Sequence, residues 1–525
     1  MRLAFYIVSG LVLALICVGG ILWAPTLYLL IFALPLVALG LFDIFISTSN
    51  VLRNYPVIGH LRYMLEFISP EIQQYFIETP QSGRPFNREQ RALIYRRAKG
   101  ITDTTPFGTV RDLDGDGAEF AFHSLAPKHV PDTFGRIAVG GPQCTKPYNA
   151  SRLNISAMSF GALSGNAIEA LNKGARRGKF AHNTGEGGLS PYHLKHGGDI
   201  IWQVGTGYFG CRTAEGRFDD AAFAERAALE VVKMIEVKLS QGAKPSHGGL
   251  LPGKKVSVEI ASIRLIEPGI DCLSPAAHPE FSTPRGLLEF VTRLRGLSGG
   301  KPVGFKLCIG IRSEFMSICK AMLETGILPD FITIDGAEGG TGAAPPEFSD
   351  SLGTPINEAL VFVHSCLVGA GLRDKIRLIA SGKIATGFDM VTKLALGADM
   401  CNVARSMMFA VGCIQARRCN DNSCPTGVAT QTPSRARAID VDAKHVRVAN
   451  YHAATNRSFL ELTGAMGLGD PDRLTPQHIF RRVNDGPAQT FAELYEFLEP
   501  DALRGDNLPP GAHAAAWAAA SADRF

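Results

Sequence analysis

Two apolar runs open the chain, residues 3–23 and 27–48, separated only by Ala24, Pro25 and Thr26. Each is long enough to cross a hydrocarbon core, which takes about 20 helical residues. A signal peptide has a shorter apolar core and no second span directly behind it. Residues 1–48 are therefore predicted to form a transmembrane helical hairpin, the alternative being a buried hairpin of a soluble protein. Arg2 before the first run and Arg53 and Arg62 after the second place both ends on the cytoplasmic side of a cell membrane. Pro35 and Asp43 interrupt the second run, Asp43 near its end, where a charge costs less.

Behind the hairpin the pattern changes. Residues 49–100 mix aromatic and basic positions and predict a juxtamembrane segment with an amphipathic helix around 87–99. From about 150 to 480, short apolar runs alternate with helical periodicity. Strands are predicted at 155–160, 180–184, 200–204, 255–260 (or a loop or helix start there), 302–310, 331–336, 376–382 and 400–405. Helices are predicted at 164–178, 221–240, 285–297, 313–326, 356–371 and 387–396. This βα alternation implies a parallel sheet. Polar, glycine-rich stretches recur just after the strands, where a (β/α)8 TIM barrel carries its active-site loops, and this favours the closed form. The expected organisation is 1–48 hairpin, 49–100 juxtamembrane segment, 101–485 barrel, and 486–525 a C-terminal helix (residues 487–498) with an alanine-rich tail.

Composition removes some alternatives. The 525 residues carry 53 Lys and Arg against 49 Asp and Glu, a net charge of +4 with signs interspersed, so nothing suggests nucleic acid. The 11 cysteines are scattered except for three, Cys413, Cys419 and Cys424, the last followed by Pro425. Scattered thiols in a long chain speak for a reducing compartment rather than a disulfide scaffold. Three soft ligands beside a Cys-Pro step suggest an iron–sulfur cluster lacking one iron. Zinc with a remote fourth ligand and unligated buried thiols remain open alternatives.

The loops narrow the chemistry. Met158–Ser164 (MSFGALS), Asn183–Gly188 (NTGEGG), Gly339–Gly342 and Ser381–Gly387 (SGKIATG) each follow a predicted strand. Glycines there let backbone N–H groups approach an anion, and a following helix N-terminus adds its dipole. Three look-alikes are set aside. Residues 112–117 have calcium-loop spacing, but position 123 is His where a Glu is required. Residues 205–210 match G-x-G-x-x-G, but Gly216 breaks the helix that should follow. Residues 248–255 (GGLLPGKK) fall one residue short of a P-loop and put Lys255 where Ser or Thr must hold magnesium.

Taken together, MSFGALS, NTGEGG, QGAKPSHGGLLPG (241–253), GGTGAAP (339–345), SGKIATG and the cysteine trio followed by PTGVATQ resemble the FMN-binding glutamate synthase family over roughly 100–480. The resemblance implies a barrel holding FMN beside a 3Fe–4S cluster. The implied reaction reduces 2-iminoglutarate, formed from 2-oxoglutarate and ammonia, to L-glutamate. It assigns Cys413, Cys419 and Cys424 to the cluster. Around FMN it places Met158, Ser159, Gly161, Ala162, Gln203, Lys306, Gly339, Gly340, Thr341, Gly342, Ser381, Gly382, Lys383, Ala404 and Arg405. Glu186, Lys244 and Arg264 would face the oxo acid, and Glu186, Lys244 and Lys306 would act in catalysis. Lys306 is expected at the flavin pyrimidine edge or paired with Asp335. With no dinucleotide site legible, electrons are expected from ferredoxin or another small carrier.

Departures matter as much. His247 and Leu250 stand where the family usually has a glutamate and a substrate-holding glutamine, which puts 2-oxoglutarate itself in question. His247 is expected to act as a proton donor or as a structural histidine. The full synthase's glutaminase domain and β-helix have no counterpart in this sequence, so glutamine-derived ammonia is not expected. The alternatives carried forward are a related synthase using another amine, of the N-methylglutamate type, and a flavin-binding membrane protein without turnover.

Overall fold

A computed structural model describes residues 1–484, 486–505 and 511–525. Residues 485 and 506–510, at the end of the expected barrel segment and in the expected tail, lie outside the described residues. The chain divides into two compact units, Met1–Arg88 and Glu89–Phe525.

In the first unit, α1 (Arg2–Leu22) is followed by a 3-10 segment, Ala24–Leu29, that runs into α2 (Leu30–Phe45). The spans Arg2–Leu22 and Ala24–Phe45 have mean hydropathies of 2.5 and 2.3, and both are long and apolar enough to cross a membrane. Asp43 is fully buried and already partnered. It accepts from the Val57 backbone N–H at 2.9 Å, and His60 Nε2 lies 2.8 Å away.

The second unit is built on eight parallel strands closed into a barrel. They are β1 (Leu153–Ile155), β2 (His182–Asn183), β3 (Ile200–Val204), β4 (Val232–Lys238), β5 (Val303–Leu307), β6 (Phe331–Asp335), β7 (Arg377–Ser381) and β8 (Met400–Val403). The main helices around them, in chain order, are α3 (Arg88–Lys99), α4 (Gly165–Gly178), α5 (Asp220–Ala227), α6 (Val258–Arg264), α7 (Pro284–Leu297), α8 (Arg312–Thr325), α9 (Ile356–Gly369), α10 (Gly387–Ala395), α11 (Arg405–Val411) and α12 (Val441–Ala465).

The predicted helix 221–240 fails: it is a short helix followed by β4, while the stretch 255–260 takes the alternative read for it, a 3-10 turn leading into the start of α6, rather than a strand. The expected count of eight strands thus contained one wrong member and omitted a right one. At the C-terminus, 487–498 is a strand, Ala488–Thr490, and a single helical turn, Phe491–Leu494, rather than one helix. That strand pairs with Ile479–Arg482, which also pairs with Glu119–Ala121.

Alternation along the strands layers the barrel interior. At the bottom, Ala181, Ile201, Met234, Phe331, Ile379 and Met400 pack with Ile137, Val139 and Ala150 of an antiparallel hairpin that closes that end. Two residues further along each strand, side chains again point inward, and they are polar: Asn183, Gln203, Glu236, Thr333, Ser381 and Asn402. Two further on again come Lys238 and Asp335, with Lys306 in register with Lys238. The interior therefore runs from apolar to polar to charged toward the C-terminal ends of the strands, where barrels carry their sites.

Candidate active site

The charged mouth is assembled from loops that glycines allow to close. Glu186, in the NTGEGG loop after β2, forms an ion pair at 2.8 Å with Lys238 at the end of β4. A side chain at Gly205 would come within 2.7 Å of Glu186 Cβ, and one at Gly249 within 2.8 Å of its Oε1. The glycines at 205 and 249 thus make room for this carboxylate. Burial pushes the Glu186 carboxyl up, but the Lys238 ammonium, aided by Lys244 and Arg264, outweighs it and holds the group below the ordinary glutamate value.

Lys244 and Arg264 come from the segment between β4 and α7, which contains α6 and a small hairpin, Leu250–Leu251 with Cys272–Leu273. Both are nearly sealed, at 3% and 4% exposure. Arg264 lies over the Phe209 ring at 5.1 Å and donates to the Phe160 carbonyl at 3.2 Å. Its Nε is buried without a partner. Burial lowers the Lys244 ammonium, opposed by Glu186. Among the described residues, neither cation has a carboxylate within 4 Å. Glu186, Lys238, His247, Gly249 and Thr206 line a narrow cleft. The His247 ring meets Phe348 edge-on at 5.1 Å, and its Nδ1 is 3.0 Å from the Gly248 carbonyl.

The residues assigned by resemblance to a cofactor lie on or just beyond the same strand ends. Lys306 pairs with Asp335 at 3.3 Å, and Asp335 also accepts from the Gly242 N–H at 2.9 Å. Ser156 and Ser381 hydroxyls meet at 3.3 Å. Met158 is buried, Ser159 backs onto Gly185, Gly161 has φ +101°, and the Ala162 carbonyl accepts from Lys255. Gly339, Gly340, Thr341 and Gly342 follow β6, while Gly382 and Lys383, both with positive φ, follow β7. Ala404 and Arg405 follow β8. The Arg405 guanidinium donates to the Glu338 carbonyl and lies so close to Gly340 that a Cβ there would sit 2.8 Å from its Nε. Gln203 lies deeper, inside the barrel. Its Nε2 donates to Glu236 at 2.6 Å. Both amide atoms of Asn402, in the same layer on β8, are buried without partners. Such orphaned amide atoms above an apolar floor, with glycine-loop N–H groups and the half-buried Arg405 guanidinium nearby, match what a flavin mononucleotide requires: partners for a pyrimidine edge and for a phosphate.

The cysteine loop, behind α11, is tied to the loop after β1. Ser164 N–H donates to the Val428 carbonyl at 2.9 Å, and Gln431 Nε2 donates to the carbonyls of Gly161 and Leu163 at 3.1 and 2.8 Å. Lys255, set aside above as a false P-loop residue, is 2% exposed and donates to the Ala162, Cys419 and Ala429 carbonyls. Tyr95 of α3 donates to the Cys413 carbonyl at 2.6 Å. Burial raises the Cys413 thiol to about 12 and also raises Cys419. Burial opposes ionisation of Cys424 too, but backbone N–H donors and the Thr426 hydroxyl around its sulfur win and lower it. Among the described residues, no group of three or more His, Cys, Asp or Glu side chains is arranged to hold a metal ion.

Sequence reasoning missed Lys238 and Glu236 because their strand was read as helix. The run Val232–Lys238, with three β-branched residues in seven, was the available signal.

Residues 139–469 match the conserved region in glutamate synthase. The chain is 40% identical over 478 residues to the glutamate synthase large subunit-like protein YerD of Bacillus subtilis, covering 83% of this chain and 90% of that one. It is 36% identical over 321 residues to the archaeal glutamate synthase [NADPH] of Methanocaldococcus jannaschii, 61% of this chain and 60% of that one. It is 33% identical over 392 residues to the ferredoxin-dependent glutamate synthase of Cyanidium caldarium, 68% of this chain and only 23% of that one. A far more distant likeness is to mandelate oxidase with (S)-4-hydroxymandelic acid, with a TM-score of 0.43 and 14% identity over 75% of this chain and 99% of that one. The chain belongs to the glutamate synthase family.

Proposed function

We propose that this protein is an FMN-dependent oxidoreductase of the glutamate synthase type that reduces the imine of a dicarboxylic 2-oxo acid to an amino acid. One observation carries the substrate class. In the mouth, Lys238 cancels Glu186 and Asp335 cancels Lys306, while Lys244 and Arg264 are buried with no carboxylate among the described residues in ion-pair reach. Buried cations left unpaired are costly, and a dianionic substrate supplies the two missing partners.

Arg264 would grip one carboxylate through its guanidinium fork, and Lys244 would meet the other as a point charge. Glu186, kept ionised by Lys238, would accept a hydrogen bond from the imine nitrogen or from the incoming ammonium. His247 and Phe348 would border the cleft on the solvent side. The loops after β1, β6, β7 and β8, with Gln203 and Asn402, would hold the flavin, which when bound supplies hydride and receives single electrons from an iron–sulfur centre. Cys413, Cys419 and Cys424 would hold that centre, a 3Fe–4S cluster; each sulfur then binds its own iron, so the three need not converge as around a single ion. Electrons would come from a small carrier such as ferredoxin, and the hairpin would anchor the protein in the cell membrane with the barrel on the cytoplasmic side.

The test is anaerobic purification, a visible spectrum and photoreduction, followed by 2-oxoglutarate with ammonium or with methylamine. Reoxidation by the ammonium pair is the expected result. Reoxidation by methylamine alone would favour the N-methylglutamate type, for which the replacement of the family's polar side chains by His247 and Leu250 is the specific support. Absence of flavin after reconstitution with FMN would refute the proposal.

A further inference from the structure

Glu236 is 0% exposed, and among the described residues it has no cationic side chain in ion-pair reach. Its two carboxyl oxygens are met instead by three neutral donors from three other strands. Asn183 Nδ2 on β2 and Gln203 Nε2 on β3 reach Oε1 at 2.7 and 2.6 Å, and Thr333 Oγ1 on β6 reaches Oε2 at 2.6 Å. On β5 the position in register is Gly304, which adds no side chain of its own.

An amide has two unlike ends. A carboxylate oxygen can face only the NH2 end, so Glu236 settles the orientation of both amides. Gln203 must then turn its oxygen away from Glu236, and no donor among the described residues meets that oxygen. Asn183 must turn its oxygen toward its own loop, where it accepts the Gly185 N–H at 3.0 Å. Gly185 has φ +65° and immediately precedes Glu186. The loop is tied again where Gln203 N–H donates to Thr184 Oγ1 at 3.1 Å.

We propose that Glu236 is a positioning residue: through Gln203 it presents an acceptor to the N–H of a flavin pyrimidine ring, and through Asn183 it fixes the turn that projects Glu186. The flavin half rests on the reading in the preceding subsection; the turn half does not.

The test compares Glu236→Gln and Glu236→Met in the full-length protein. A glutamine at 236 can keep its oxygen on both amides and turn its NH2 to the Thr333 hydroxyl, so the hydrogen-bond geometry survives. A methionine offers no acceptor. Expected results are FMN affinity within about threefold of wild type for the glutamine variant and about 10- to 100-fold weaker for the methionine variant. Hydrogen exchange at residues 184–186, measured without flavin, should accelerate about tenfold or more in the methionine variant only. Gln203→Met should by itself weaken FMN to a similar degree, and adding it to Glu236→Met should cost little more, because the two act as one unit. Wild-type affinity and exchange in Glu236→Met would overturn the proposal. Should Glu236→Met not fold, unchanged FMN affinity in Gln203→Met would remove the flavin half on its own. Additive losses would show that Glu236 does not act through Gln203. A wild-type protein that takes up no FMN would defeat the preceding functional reading, and the exchange measurement would still decide the turn half.

Discussion

The two ends of the barrel interior solve opposite problems. At the bottom, Met234, Phe331, Ile379 and Met400 fill the space with apolar volume against a closing hairpin. At the top, two of the same strands end in Lys238 and Asp335, beside Lys306 of β5, with Glu186 and Lys244 arriving from loops. Every strand is therefore half scaffold and half site, divided at the level of Glu236. Apolar packing is cheap to satisfy at the bottom. The mouth instead holds charges that packing alone does not compensate, which is the property expected of a place where a ligand completes the structure.

Mutations at the two ends should separate cleanly. The largest effect is expected at the bottom: Phe331→Ala should cost about 3–5 kcal/mol of stability in denaturant unfolding, with any retained folded protein still binding the oxo acid. At the top, Arg264→Ala should weaken acid binding by about 2–3 kcal/mol in calorimetry while flavin content and melting temperature hold. Loss of flavin with acid affinity preserved would reverse that assignment.

Lys238→Met gives a subtler, pH-dependent result. In the wild type the lowered Glu186 carboxyl contributes stability above its ordinary value of 4.5, and that contribution disappears as pH falls through the lower folded value. Without Lys238, burial is left as the largest influence and raises the group, so its ionisation opposes folding near neutrality. Melting temperatures of the two proteins should therefore converge as pH drops from 7 toward 4; a constant gap would mean that Lys238 does not govern Glu186. The smallest effect belongs to Thr386→Ala. Thr386 and Asp389 form a reciprocal cap on α10, each side chain accepting the other's N–H at 3.0 and 2.9 Å. Its loss should cost about 1 kcal/mol in thermal unfolding without touching acid binding.

The same division explains what the sequence revealed. Ile200–Val204, Phe331–Asp335 and Arg377–Ser381 read as strands because apolar and β-branched residues dominate them. Val232–Lys238 did not, because its inward positions are Met234, Glu236 and Lys238, and a helix-compatible alanine-rich stretch runs directly into it. A strand whose inner face serves the site loses the very pattern by which strands are recognised. Loop motifs marked the rim of the mouth, since glycine spacing survives in one dimension. The contacts behind them, Lys238 with Glu186 and Glu236 with Asn183 and Gln203, join residues 33 to 53 positions apart and leave no local trace.

The hydroxyl of Tyr95 on the Cys413 carbonyl has a practical corollary for anyone trimming this polypeptide. Arg97 likewise reaches Thr455 on α12 at 3.2 Å, so α3 belongs to the catalytic body although the sequence groups it with the juxtamembrane segment. Both a shortened form beginning near residue 87 and one beginning at 101 lack the greasy hairpin, but the first should keep the cysteine loop braced, whereas the second would also strip Tyr95 from that loop and Arg97 from α12.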